Sequence, residues 1–284
     1  MRLTDQQLAF FDTFGYLAFP GAFADSIDKI IDSFKKVWAD NGGGHFGREH
    51  DGKQRSALIQ FIDQDEYLSA LIDDPRIDDV CASVLGDDYN YTGSDGNFYV
   101  GDTRWHSDGY RESKYMSFKM AFYLDPVTAD TGCLRVIPGS HKYGDTFGNM
   151  LEEVRNMPDA SANGPQVLWG VDGDGVPAVP LEAVPGDLVM FNHALKHSSW
   201  GGSDRRRMFT LNFEQRYEEE DIPELKDRMG SETRFWIERN YGEVMMKTAG
   251  PKRMVHLEQR MSNDGHMTEL ARKARAEMPE PSRG

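Results

Sequence analysis

Eight histidines occur in this 284-residue chain, at positions 45, 50, 106, 141, 193, 197, 256 and 266, and their spacing separates those that could act together. His106 and Asp108 stand two apart in the segment RWHSDGY (104–110). In extended backbone, residues i and i+2 leave the same face, so this imidazole and carboxylate could grip one ion. Much later, the stretch PGDLVMFNHALKHSSW (185–200) supplies His193 and His197 after an apolar strand-like run, and the arginine cluster Arg205–Arg207 follows. Two histidines and one carboxylate make the facial set that suits non-haem Fe(II), leaving three octahedral positions for substrate and dioxygen. A lone HxD pair is common by chance. The distal histidines and the arginines give this one weight.

The elements that would position these residues change character along the chain. Thr4 followed by Gln7 has the form of a capping box, opening a helix through Leu8, Phe10, Phe11 and Phe14 that Gly15 stops. Residues 16–19 read as a strand, Pro20 and Gly21 as a turn, and 25–39 as a helix through Ile27, Ile30, Ile31, Phe34 and Trp38. The NGGG run at 41–44 is a loop, and shorter helices are expected over 65–72 and 76–85. From about 89 to 216 the pattern becomes one of short strands broken by Gly, Pro and Asp, at 97–100, 115–124, 133–137, 167–169, 187–191 and 207–216. No crossover helices separate them, which fits an all-β barrel or sandwich. The stretch 144–166 reads as a long loop with a short helical piece, a lid or an insertion. After 217 the chain turns acidic and then becomes a polar, Met-containing helical tail.

Composition bounds the class. With 39% hydrophobic and 11% aromatic residues the chain is globular. A formal charge of −15 argues against binding nucleic acid or a membrane surface by general electrostatics. Cys81 and Cys133 are the two cysteines, too few for a disulfide scaffold or a thiolate metal site. No apolar run reaches the length of a signal peptide or membrane span, so a cytoplasmic protein is expected.

Four segments, LTDQQLAFFDTFGYLAFPGAF (3–23), RWHSDGY, DTGCLRVIPGSHK (130–142) and PGDLVMFNHALKHSSW with RRRMFTLNF (205–213), resemble the phytanoyl-CoA dioxygenase family of Fe(II)/2-oxoglutarate oxygenases, in family order. The resemblance covers roughly residues 3–216. It implies a double-stranded β-helix of jelly-roll type with buttressing N-terminal helices; with the pattern along the chain this gives one domain whose residues 1–88 are helical, whose β core spans about 89–216, and whose residues 217–284, outside the resemblance, read as a helical extension. It also implies Fe(II) held by His106, Asp108 and His197. His193, the rival third ligand, falls where the family has a variable or small residue, and His141 matches a recurrent turn. The implied reaction consumes 2-oxoglutarate and O2, releases succinate and CO2, and oxidises a C–H bond, most simply by hydroxylation. Related halogenases have a small residue in place of the aspartate, so Asp108 points to oxygenation.

Alternation selects the arginine. On 205–213, Arg205 and Arg207 share a face with Phe209, Leu211 and Phe213, whereas Arg206 shares the other with Met208, Thr210 and Asn212. The second, more polar face is the one expected to look into a barrel holding a polar site. Arg206 is therefore the anchor expected for the distal carboxylate of 2-oxoglutarate, a partner suited to a guanidinium fork, and Ser199 matches a family hydroxyl that supports the same group. Gly132, Pro138 and Gly139 are read as turn formers. The same parity test puts Tyr115, Ser117, Lys119, Ala121 and Tyr123 on one face and an unbroken apolar row on the other. If the first face looks inward, Lys119 and Asn97 are expected at 2-oxoglutarate, and Tyr99, Tyr110, Tyr123 and Trp200 are possible substrate walls.

Two other classes compete. A cupin-like metal isomerase or hydrolase would use the same histidines and aspartate with another ion and give Arg206 no role. A non-catalytic barrel would have lost a ligand, and none is missing here. The substrate expected is a small molecule. Residues 247–284 hold eight Lys/Arg against five Asp/Glu, leaving −18 on residues 1–246, so locally basic points at 104–119 and 205–207 sit within an acidic body.

Overall fold

The computed structural model describes residues 2–109, 112–142, 144 and 170–283. Two antiparallel sheets face one another. The larger runs β1(Tyr16–Phe19), β8(Leu188–Asn192), β5(Ser117–Tyr123), β10(Arg206–Glu214), β3(Asn90–Tyr99), β2(Ser56–Ile59), and the smaller runs β4(Thr103–His106), β9(His197–Ser199), β6(Leu134–Val136), β7(Val179–Leu181). This is the expected jelly-roll architecture, with helices flanking the larger sheet and no closed barrel among the described residues.

Period-two alternation sorts the side chains. Phe118, Met120 and Phe122 of β5 and Phe209, Leu211 and Phe213 of β10 point outward into the main core, where they meet Phe11, Ile30, Phe34, Ile77 and Val80 of the N-terminal helices. Phe122 and Phe209 stack with ring centroids 4.5 Å apart. Ala121, Tyr123, Met208, Val189 and Phe191 point the other way and pack against Leu134, Val136 and Leu181 of the smaller sheet. The parity argument therefore has its answer: the face of β5 bearing Lys119 and Tyr123, and the face of β10 bearing Arg206, look between the sheets.

The first helix, α1(Asp5–Phe14), has both halves of the capping box, and Gly15 closes it at φ 82°. Next come α2(Ile27–Asp40), the single turn α3(Glu66–Ser69), which continues as a 3-10 turn through Asp73, and α4(Pro75–Leu85), capped by the Asp74 side chain on the Arg76 N–H. Strand β3 begins seven residues before the expected 97. Its Gly, Asn and Asp residues disfavour a strand locally, but pairing on both sides with β10 and β2 overrides that preference. Strands β2, β4, β7 and β9 escape the sequence pattern because each is only three or four residues long. The expected strand 167–169 and most of the supposed lid 144–166 lie outside the described residues.

The C-terminal segment is helical, as expected, but it is docked rather than trailing. Its helices are α5(Ile222–Glu232), α6(Glu243–Thr248), α7(Pro251–Asn263) and α8(Met267–Glu277). Met245 and Leu257 belong to the main core. Arg260, 1% exposed, bonds Glu214 at the end of β10 and Glu232 of α5, both at 2.9 Å. Tyr217 stacks on Tyr115 at 3.9 Å, and the Tyr115 hydroxyl donates to Asp221 at 2.6 Å. Thus 217–228 fastens the segment that follows the HxD loop. No described helix is long and apolar enough to cross a membrane.

Candidate metal centre

Strands β4 and β9 pair so that His106 stands directly opposite His197, which brings the two rings to 4.2 Å between centroids. The loop after β4 then turns back. The backbone N–H groups of Asp108 and Gly109 both donate to the His193 carbonyl at 2.8 Å, and the Ser107 hydroxyl donates to the Ala194 carbonyl at 3.0 Å. This pins the aspartate beside the two histidines. One ligand atom from each of His106, Asp108 and His197 lies within 4.8 Å of the others.

Both rings have a fixed tautomer. His106 Nδ1 lies 2.7 Å from the Arg104 carbonyl and His197 Nδ1 2.8 Å from the Leu195 carbonyl. A carbonyl only accepts, so each Nδ1 carries the proton and each Nε2 turns its lone pair towards Asp108. The Nε2 atoms are 3.6 and 3.7 Å from Asp108 Oδ1 and Oδ2, beyond hydrogen-bond range. Burial, reinforced by His106, pushes the His197 pKa down to about 3, so the ring is neutral and ready to ligate near pH 7. Burial alone would push the Asp108 carboxyl up, but Lys119 and the surrounding histidines hold it well below the ordinary range. Two imidazoles and one carboxylate are a donor set that fits Fe(II).

His193 stands apart from this cluster. Its Nε2 meets Asn212 Oδ1 at 3.0 Å, and burial pushes its pKa down to about 4; its backbone carbonyl is what the site uses. His141 contacts the Asp12 carbonyl at the end of α1 through Nε2 at 3.0 Å.

Arg206 is 4% exposed, and its Nε and Nη1 have no hydrogen-bond partner among the described residues. Such a buried guanidinium is costly unless an anion meets it. It lies over the Tyr99 ring, 5.2 Å from the centroid, in a cradle of two glycines. A Cβ on Gly132 would fall 1.8 Å from Nη1 and one on Gly202 2.5 Å from it. Ser199 donates to the Gly132 carbonyl at 2.8 Å, holding that wall of the cradle. Arg205 and Arg207 face outward, the first over Phe98 and the second paired with Asp125.

The remaining sequence candidates are placed as follows. Lys119 Nζ sits 2.7 Å from Asp108 Oδ2, at the metal ligand rather than at Arg206. Asn97 is engaged by Arg55 at 2.8 Å and Asp95 at 2.6 Å. Tyr99 and Tyr123 adjoin Arg206 through their strand partners, and burial raises the Tyr123 pKa against the pull of Arg206. Trp200 donates to Ser198 at 2.8 Å and packs on Gly173, on the opposite parity of β9 from His197 and Ser199. Tyr110 lies outside the described residues. The sequence reading missed Arg55 and Gly202 altogether, and it took Gly132 for a turn former only. The repeated glycines around the arginine strand were the available signal.

The family model described as phytanoyl-CoA dioxygenase matches residues 11–209. Among solved structures, the chain is similar to the non-heme alpha-ketoglutarate-dependent carbocyclase SnoK of nogalamycin biosynthesis, at 19% identity and TM-score 0.56, covering 75% of this chain and 84% of that one. It is also similar to apo EctD from S. alaskensis, at 20% identity and TM-score 0.54, covering 75% and 77%. A third is HygX from Streptomyces hygroscopicus with nickel and 2-oxoglutarate bound, at 16% identity and TM-score 0.56, covering 76% and 89%. No curated protein matches the sequence.

Proposed function

The chain belongs to the phytanoyl-CoA dioxygenase family, and on that footing we propose that it is an Fe(II)- and 2-oxoglutarate-dependent oxygenase hydroxylating a C–H bond of a small polar metabolite. The observation that carries this reading is the buried guanidinium of Arg206, whose Nε and Nη1 have no hydrogen-bond partner among the described residues and whose Gly132 wall is bonded by Ser199, two residues along β9 from the cluster's His197. Between His197 and Ser199, whose hydroxyl holds the cradle, β9 advances only about 7 Å. That is about the reach of a five-carbon dicarboxylate. A cupin-like isomerase or hydrolase would leave the buried charge unexplained.

His106, Asp108 and His197 would hold the iron, and Arg206 would take the distal carboxylate of 2-oxoglutarate through a charge-assisted fork. When bound, iron and 2-oxoglutarate let O2 be split between succinate and a substrate hydroxyl, with release of CO2. The chain contributes orientation and dryness. The Arg104 and Leu195 carbonyls fix the imidazole tautomers, the His193 carbonyl fixes the Asp108 loop, and Phe191 packs 4.8 Å from the His197 ring.

The inner face of the larger sheet supports the substrate class. Asp95, Asn97, Lys119 and Thr210 line one part of it, with Arg55 bonded to Asp95 and Asn97, a polar region beside the apolar Ala121, Met208, Val189 and Phe191. Free, buried Cys81 and Cys133 agree with a reducing, cytoplasmic setting. The test is a metabolite screen scored by succinate release. Turnover should require Fe(II) and 2-oxoglutarate, and His106→Ala and Asp108→Ala should abolish it; activity surviving in either variant defeats the assignment.

A further inference from the structure

Building on the proposed function, we propose that Lys119 is a positioning residue for Asp108. Its ammonium bonds Oδ2, leaving Oδ1 as the oxygen with no charged partner, so that the carboxylate is held to ligate through Oδ1 and not to close on the metal with both oxygens.

Lys119 lies in the middle of β5, flanked by Asn212 of β10 and Phe191 of β8. Its side chain is 19% exposed, and Nζ is 2.7 Å from Asp108 Oδ2. The other oxygen, Oδ1, has His106 Nε2 as its neighbour at 3.6 Å. Oδ2 has the matching neighbour in His197 Nε2 at 3.7 Å, so the two oxygens differ in one respect: Oδ2 is also bonded by a charged donor and Oδ1 is not. A second reading, in which Lys119 joins Arg206 at the distal carboxylate of 2-oxoglutarate, does not fit: Lys119 is level with Asn212, six residues along β10 from Arg206, and its ammonium is bonded to Asp108.

The consequence is coordinative. A one-oxygen aspartate and two histidines leave three positions of an octahedron, two for chelated 2-oxoglutarate and one for O2. An aspartate binding through both oxygens would leave two, room for chelated 2-oxoglutarate but none for O2, and its extra anionic donor would weaken the ion's hold on the chelate. Lys119 thus keeps the face open, at the expense of metal affinity, because an ammonium beside the ligand repels a dication.

This yields changes of opposite sign. In full-length Lys119→Met, Fe(II) titrated anaerobically against a chromophoric chelator should bind more tightly, on the order of tenfold. In the same variant, 2-oxoglutarate, followed by the visible charge-transfer band of its Fe(II) chelate, should bind more weakly by a similar factor. Lys119→Arg, which keeps a charged donor, should stay near wild type in both titrations. Weaker 2-oxoglutarate binding with unchanged metal affinity would overturn the proposal and return Lys119 to the co-substrate. Loss of both affinities, or of neither, would also overturn it, leaving only a packing role. If wild-type protein binds Fe(II) but no 2-oxoglutarate, the proposed function fails, while the metal titration still decides whether Lys119 restrains Asp108.

Discussion

Replacing Arg206 by methionine should separate co-substrate binding from folding. The guanidinium is 4% exposed, and its Nε and Nη1 have no partner among the described residues, so burial leaves its charge desolvated unless an anion meets it. Two charge-assisted hydrogen bonds from the fork, at about 1.5–3 kcal/mol each, put the loss at roughly 3–6 kcal/mol. That is about 10²- to 10⁴-fold in Kd for 2-oxoglutarate. Stability without ligand should move the other way or not at all, because methionine fills a similar length and removes an uncompensated buried charge. Isothermal titration with 2-oxoglutarate in the presence of Fe(II), alongside thermal unfolding of the apoprotein, reads both quantities. Arg205→Ala, on the outer face, is the control and should leave the 2-oxoglutarate affinity unchanged. A Kd for Arg206→Met within about threefold of wild type would refute the reasoning, as would loss of Fe(II) binding together with 2-oxoglutarate.

Further outcomes follow from other contacts. Gly132→Ala should weaken 2-oxoglutarate binding while sparing Fe(II), since its Cβ would fall 1.8 Å from Arg206 Nη1 and its φ is +91°; equal co-substrate affinity by titration would count against the cradle. Arg260→Leu should lower stability to urea by about 3–5 kcal/mol, because it strands buried Glu214 without its closest cation; a midpoint like wild type would contradict the docked C-terminal segment. Burial raises the Asp63 pKa to about 6. A carboxyl with a raised folded pKa costs stability as pH climbs from its unfolded value near 4 to about 6, and no further above that. The stability difference between Asp63→Asn and wild type should therefore grow in favour of the variant across that window, and a pH-independent difference in denaturant melts would speak against it.

The His–Asp pair was legible locally, because HxD in extended backbone is a two-residue pattern; His193 and His197 stayed rivals on spacing, and the resemblance alone favoured His197. Arg206 was legible through strand parity, which depends only on alternation along 205–213. Lys119 was harder. Parity set it on one face with Tyr115 and Tyr123 without settling which way that face looks, and its partner Asp108 sits on a loop pinned by a carbonyl 85 residues away in sequence, which no spacing rule encodes. The short strands β4 and β9 carry the histidines yet are held by cross-strand pairing rather than by their own propensity. The C-terminal segment reads as polar because its anchors are Arg260, His256 and Gln259, buried through specific partners rather than an apolar stripe. His256 stacks on Tyr89 at 3.8 Å, and Gln259 accepts from Asn90 at 2.8 Å.

The most direct test of the central claim is an anaerobic titration of the full-length protein with Fe(II) and then 2-oxoglutarate, followed in the visible spectrum. One equivalent of each should produce the charge-transfer band of an Fe(II)–2-oxo acid chelate, and Asp108→Ala should not produce it. Fe(II) binding to the wild-type protein with no band on adding 2-oxoglutarate would contradict the account.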